Sequence, residues 1–519
     1  MIENRFSRRH FFFGSLLAGA VPSGGFGSTP SLRALGFKSY NEKLNIAAVG
    51  VGTRGPQILR GAATENIVAL CDVNDEKAAR AFEIYPKASR HKDYRRMLDG
   101  QGKNIDAVMI ATPDHLHTQV ALLAMQHGKH VYCEKPLTRT VWEARLLADA
   151  AAKYRIATQM GNQGFSHEGT KTACEIVWSG DIGDVTEVHA WTGAIYGGQP
   201  SIPATGPEAQ SVPAPLDWDL WQGPAATRNF NPLIVNQWRA FLDFGTGGSL
   251  GDWIVHVLGP AHLALLLDRV SPTSVEAVTV EGKGEYLWPL RAHTVFEFPA
   301  RAPMPAVTIH VYQNMRGNFP NPPGMQENER LFPPSNNLAE RGRPFAGDQF
   351  LQAGRGAGDP AGRAGRGRGS FAGGAAGAEA GRRGPGAAGP AADRDATNRA
   401  PGNGAVFVGS KGYMATTSRG EGVWLLPASR WADYKLPPQL LLRGVNHQQD
   451  WIRAVKGGAP GVSEFSVATK YIEWLVLGAV ALRVPGKLLW DSKNLRFTNS
   501  EQANRFVKPY IRKGWELKV

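Results

Sequence analysis

From residue 44 onward the chain alternates short apolar runs with stretches whose apolar positions recur every three or four residues. The runs at 44–49, 67–73, 105–112, 130–133 and 156–160 each predict a strand, because a short continuous apolar run suits a strand buried on both faces. Between them, 115–127 and 141–154 carry helical spacing. Strands and helices in this alternation predict βαβ units around a parallel, doubly wound sheet. Past residue 162 the pattern loosens. Runs at 185–191, 275–280, 293–298 and 306–312 predict an antiparallel sheet with one wet face, and 251–267 and 448–455 predict helices.

The expected fold class is therefore α/β: a Rossmann-type doubly wound parallel sheet plus a C-terminal α+β domain with an open, mostly antiparallel sheet. The expected division is a leader and linker at 1–40, a first domain at 41–165, a second at 166–500, and a tail at 501–519 packed on both. Residues 353–402 are nearly all Gly, Ala, Arg, Pro and Asp. Such a stretch cannot bury enough apolar surface to fold. Strand-like 405–408 and 413–416 follow it, so it reads as a solvated insertion within the second domain.

The net charge of +13 would raise nucleic acid as a partner, but its location argues otherwise. Residues 1–9 contribute +2, and residues 341–399 carry ten arginines against five acids. Within 353–402 only Phe371 is offered for base stacking, so no nucleic-acid partner is expected. Cys71, Cys133 and Cys174 make no disulfide framework and read as small buried side chains. Ser7-Arg8-Arg9-His10-Phe11-Phe12, followed by an apolar stretch to Val21, resembles a twin-arginine export signal. That stretch is too short and too glycine-broken to span a bilayer, so no stable membrane anchor is expected. The resemblance implies a periplasmic or otherwise exported protein.

Candidate chemistry begins at Gly50-Val51-Gly52-Thr53-Arg54-Gly55, directly after the first strand and opening a helix. The first glycine permits a tight turn, the second a close approach to a pyrophosphate, and the third close helix packing. Free N–H groups at the helix start then favour the anion. Asp72 lies 22 residues after Gly50, where a carboxylate can accept from both ribose hydroxyls and repel a 2′-phosphate. NAD is thus the expected cofactor, with NADP disfavoured. Two further motifs end later strands: Thr112-Pro113-Asp114-His115-Leu116-His117 and Glu134-Lys135-Pro136. A lysine there projects into the ligand cleft, where it can polarise or deprotonate a hydroxyl as hydride leaves the same carbon. Asp252 and His256 are four apart, which on a helix puts both on one face. An aspartate beside the ring would raise its proton affinity and fix its orientation. No metal site is expected.

Together these motifs resemble the Gfo/Idh/MocA oxidoreductases (glucose-fructose oxidoreductase, inositol dehydrogenase and MocA). Leu489-Trp490-Asp491 and the Tyr510–Trp515 tail add to the likeness. Met160-Gly161-Asn162-Gln163-Gly164, Leu216–Trp221 and Gln237-Trp238-Arg239 resemble an exported bacterial subgroup. The resemblance implies catalysis by Lys135 with Asp252 and His256. It implies a cofactor cleft built from Gly50, Gly52, Thr53, Arg54, Gly55, Asp72, Thr112, Pro113, His115, His117, Glu134, Lys135, Asn162 and Gln163. Gln163, Trp238 and Arg239 would join the catalytic residues on a sugar or polyol. A homo-oligomer, dimer or tetramer, is expected. Three functions compete: sugar or polyol oxidation, redox-neutral NAD-dependent glycoside cleavage, and a non-catalytic relict binding protein.

Overall fold

The computed structural model describes residues 42–341 and 402–517, apart from positions 200, 204, 316–317, 327–328, 334–335 and 444–445. The arginine-bearing leader and all but the last residue of the expected insertion at 353–402 lie outside the described residues.

Six strands form the first sheet: β1 (Asn45–Val49), β2 (Asn66–Cys71), β3 (Ser89–His91), β4 (Ala107–Ile110), β5 (His130–Cys133) and β6 (Thr158–Met160). Their order is β3-β2-β1-β4-β5-β6, and every ladder is parallel. Parallel neighbours need helical crossovers, and the helices cover both faces, which is why β4 is buried along its whole length. The order reverses between β1 and β4, the switch point where such sheets open a ligand crevice. The helix Val141–Tyr154 shows how locally some elements are written. Thr140 accepts from the Glu143 amide, while the Glu143 carboxylate reaches back to accept from Thr140 Oγ1 and from the Arg139 amide one residue before the cap, a variant of the capping box.

The second sheet has nine strands: β7 (Val185–Thr192), β8 (Ser274–Glu281), β9 (Arg291–Phe298), β10 (Val307–Gln313), β11 (Asn403–Gly409), β12 (Tyr413–Thr417), β13 (Val423–Leu426), β14 (Leu488–Asp491) and β15 (Arg496–Phe497). They run in the order β13-β12-β11-β7-β10-β9-β8-β14-β15. The β7–β10 pair is parallel and the other ladders are antiparallel, so the sheet is mixed but mostly antiparallel. β9 alternates buried and half-buried positions. Its inward Phe296 and Phe298 meet Trp474 edge-on, at 5.2 and 5.4 Å between ring centroids. Trp474 belongs to Phe465–Ala481, a helix buried nearly all round.

The two halves interlock. Phe465–Ala481 packs on Val141–Tyr154, and Arg145 forms a two-pronged pair with Glu473, at 2.5 and 2.6 Å. The helix His447–Val455, late in the chain, supplies Trp451, Ile452 and Val455 to the core of the first sheet. The tail returns as well: Arg512 Nε donates to the Gly223 carbonyl, and the Arg95 guanidinium lies 4.3 Å over the Trp515 ring. The expected helix at 251–267 is broken into a π-helical turn, Leu250–Ile254, and the short helices Val255–Val257 and Gly259–Ala264. Among the described residues, no helix is long and apolar enough to cross a membrane.

Candidate active site

A cleft of about 990 Å³ opens at the C-terminal ends of β1, β2 and β4 and runs to the second domain. At its first end Gly50 has φ +81°, and a Cβ there would stand 2.6 Å from the backbone of Ala111 and Thr112. Only glycine lets β1 and β4 part so tightly at the switch point. Gly55 is not at the cleft wall; a Cβ on it would meet the Gly50 carbonyl at 2.5 Å, so it serves helix packing. No side chain caps the start of the helix Gly55–Gly61, which leaves that end to an anion.

Asp72 directly follows β2 and is half-buried. Its Oδ2 accepts from the Gly52 amide and its Oδ1 from the Asn74 amide, both at 2.9 Å. Loss of hydration holds its carboxyl above the usual range despite those donors. Thr112 Oγ1, also at the cleft, is buried without a partner. An uncapped helix start, glycines that admit a backbone-to-ligand approach, an anchored carboxylate and an orphaned hydroxyl together suit a dinucleotide.

At the other end Lys135 Nζ donates to the Asp252 carbonyl at 3.0 Å and to Asp252 Oδ1 at 2.5 Å. Arg239 Nε lies 3.0 Å from the same Oδ1, and the Tyr196 hydroxyl donates to Oδ2. Burial pushes the Asp252 carboxyl up, but the charges of Arg239 and Lys135 outweigh it and hold the group well below the usual carboxylate range. Asp252 is thus held as the carboxylate between Lys135 and Arg239. Glu134 accepts from Gln163 Nε2 at 3.2 Å and pairs with Arg54 Nε at 3.3 Å, tying the glycine loop to the lysine loop.

His256 corrects the sequence expectation. Asp252 does not orient the ring, because its oxygens are taken by Lys135, Arg239 and Tyr196, and the intervening turn is π-helical rather than α-helical. Burial, reinforced by the charges of Lys135 and Arg419, holds the His256 ring well below the usual histidine range. The ring is neutral, with Nδ1 buried and unpartnered. Its proton affinity is lowered, the opposite of what an adjacent aspartate would give.

The structure gathers Gly50, Gly52, Thr53, Arg54, Asp72, Thr112, Pro113, Glu134, Lys135, Gln163, Trp238, Arg239, Asp252 and His256 around one cleft. His115, His117 and Asn162 stand outside it. His115 Nε2 is 2.8 Å from the Trp221 carbonyl, and burial pushes this ring down to about 3. His117 sets Nδ1 2.8 Å from the Pro136 carbonyl and Nε2 2.9 Å from the Thr112 carbonyl, so it braces both cleft loops from behind. Asn162 is buried behind Gln163, with neither side-chain atom partnered. Trp238 lines the cleft, but one face is covered by the Arg239 guanidinium, 4.1 Å from the ring.

Tyr196, Trp253, Arg419 and Trp515 also line the cleft, and the motifs in the sequence do not single them out for it. Tyr196 lies four residues past the end of β7 and directly before two glycines, a faint signal for an aromatic at a turn. Arg419 sits in the β12–β13 turn, with its guanidinium 5.2 Å from the Trp253 ring. Nothing near it in sequence points to the cleft.

The family model for the Gfo/Idh/MocA oxidoreductases with an NAD-binding Rossmann fold matches residues 44–162, and that for the family's C-terminal α/β domain matches 192–288. The inositol 2-dehydrogenase of Salmonella paratyphi B is 30% identical over 152 residues, 28% of this chain and 45% of that protein. A glycosyl hydrolase family 109 protein of Saccharopolyspora erythraea is 32% identical over 181 residues, 30% of this chain and 38% of that protein. Both matches thus span less than half of the relative's length. A solved levoglucosan dehydrogenase, in complex with NADH and levoglucosan, superposes with a TM-score of 0.50 at 17% identity, over 86% of this chain and 99% of that one. With both domain models matched in order and the glycine loop, lysine loop and Asp252 converging on one cleft, residues 44–162 carry the NAD-binding Rossmann domain of the Gfo/Idh/MocA oxidoreductase family, and 192–288 match that family's C-terminal domain.

Proposed function

We propose that this protein oxidises a hydroxyl-bearing carbon of a sugar or polyol by hydride transfer to NAD. The observation that carries the reading is the meeting of Lys135 and Asp252, one from each domain, at 2.5 Å in the cleft that begins at Gly50 and Asp72. Gly50, Gly52, Thr53 and Arg54 would hold the pyrophosphate and Asp72 the ribose, its negative charge favouring NAD over NADP. When bound, NAD supplies the hydride acceptor. Lys135 has three N–H donors, of which Asp252 takes two, so one remains for the oxygen of a substrate hydroxyl. The neutral ring of His256, which lines the cleft, can receive the hydroxyl proton as the hydride leaves the same carbon. Trp238, Arg239 and Gln163 line the substrate end.

The twin-arginine-like residues 7–12 support export of a folded, cofactor-loaded protein. Tightly held NAD outside the cytoplasm must be regenerated in each cycle. That need, with the similarity to a glycosyl hydrolase family 109 protein, favours a second reading: transient oxidation, elimination of an aglycone and return of the hydride. Exposed Val278 and Val280 on β8 support self-association, to be sized by light scattering.

The test is to purify the protein without added nucleotide, denature it, and weigh the released cofactor by mass spectrometry. Stoichiometric NAD is expected; an empty protein argues for a cytoplasmic dehydrogenase that uses a diffusible pool, or for a relict fold that no longer binds nucleotide. Product analysis across free sugars and glycosides then separates the two chemistries: an accumulating keto-sugar supports oxidation, and a released aglycone without net reduction supports cleavage. Loaded protein that transfers hydride from no sugar or polyol overturns both.

A further inference from the structure

A second chemical cluster lies on the nine-stranded sheet, away from the cleft. Glu187 and His189 are two apart on β7, so their side chains leave the same face. His310 on β10 is the direct register partner of His189, and Tyr312 on β10 is that of His293 on β9. None of these five residues lines the cleft. One donor atom each from Glu187, His189 and His310 falls within 4.8 Å of the others. His189 Nε2 and Glu187 Oε2 are already 3.1 Å apart, and two ligands of one tetrahedral zinc ion stand roughly 3.3 Å apart.

The surroundings resemble the outer shell of a metal site. His189 turns its other nitrogen, Nδ1, to the Tyr312 hydroxyl at 3.2 Å, and His310 Nδ1 lies 3.1 Å from His293 Nε2. Partners of this kind fix the rotation and tautomer of a ligating ring. His189 is buried while Glu187 and His310 are half-buried, so an ion can enter from one side. The His189 and His310 rings stack at 4.6 Å and are nearly parallel, so capture requires them to tilt toward one another.

We propose that Glu187, His189 and His310 form a binding site for a divalent transition ion, Zn²⁺ by preference, with water as the fourth ligand. Two imidazoles and a carboxylate suit zinc, whereas Mg²⁺ and Ca²⁺ call for oxygen ligands throughout. The ion would tie β7 to β10, the parallel pair of this sheet, and the site does not depend on which reaction the cleft performs.

The experiment uses the full chain without a histidine tag, stripped by chelator, titrated with Zn²⁺ alone and counted by elemental mass spectrometry. One zinc per chain is expected, with a rise in melting temperature and, on Co²⁺ substitution, the visible absorption of a four-coordinate ion. His189→Ala and His310→Ala lose the ion. Glu187→Gln, a change at a partly exposed position that circular dichroism can show to be folded, weakens binding at least tenfold. Tyr312→Phe keeps the stoichiometry and lowers affinity by about ten- to a hundredfold. No stoichiometric zinc in the parent protein, or unchanged zinc affinity in folded Glu187→Gln, overturns the proposal.

Discussion

In the six-stranded sheet, a cofactor loop is assembled from residues close in sequence: the glycine turn follows β1 within one residue, and Asp72 follows β2 directly. In the nine-stranded sheet, neighbours are distant. β11 pairs with β7 across some two hundred residues, and the Arg419 turn reaches the cleft from β12 and β13. The first region binds by backbone geometry that a few glycines specify. The second supplies charge and shape through side chains that only packing brings together. The proposed reaction needs both, because Lys135 comes from one and Asp252 from the other.

The largest expected effect tests that division. Lys135→Ala should lower hydride transfer by about 10²- to 10⁴-fold while NAD stays bound, measured by turnover and released nucleotide. Retained turnover would mean the two regions do not meet in the reaction. Next comes Glu175→Ala in the second region. Glu175 receives Arg443 Nη2 at 2.5 Å, and both side chains are buried. Arg443 keeps its second partner, Glu168, at 2.6 Å, so the loss leaves buried donors unsatisfied rather than a bare charge and should cost about 1–3 kcal/mol, read from denaturant melts.

Acid should strain both regions at once. Burial pushes His130 and His447 down to about 4 and His115 and His262 down to about 3. The unfolded chain binds protons near pH 6.5 that the native rings refuse. Stability is therefore full above about pH 6.5 and falls as pH drops below it, by up to about 1.4 kcal/mol per pH unit for each ring, down to its folded value. A flat profile from pH 7 to 5 would contradict the burial of these rings. The smallest effect sharpens the cofactor half. Asp72→Asn should weaken NAD by roughly ten- to a hundredfold and narrow its preference over NADP, measured by calorimetry.

Much of the fold is legible in the amino-acid pattern. The apolar runs predict five of the six parallel strands; Ser89-Arg90-His91 escapes because β3 is short and polar. Phe465–Ala481 also escapes, because a helix apolar on every side has no amphipathic period to read. Asp252 and His256 stand out as a pair at helical spacing, but that spacing misstates their relation, since a π-turn and three competing donors leave no trace in a helical period.

Local pattern is enough to specify the Rossmann half, its glycine loop and the residue types at the cleft, because those depend on backbone conformation and short-range periodicity. Tertiary packing settles that His115 and His117 brace loops rather than line the cleft. It also settles that His256 is neutral, that Tyr196 and Arg419 join the site, and that Glu187, His189 and His310 converge. Charge, desolvation and hydrogen-bond partnership depend on which atoms lie within a few ångströms, and residues distant in sequence supply most of those atoms.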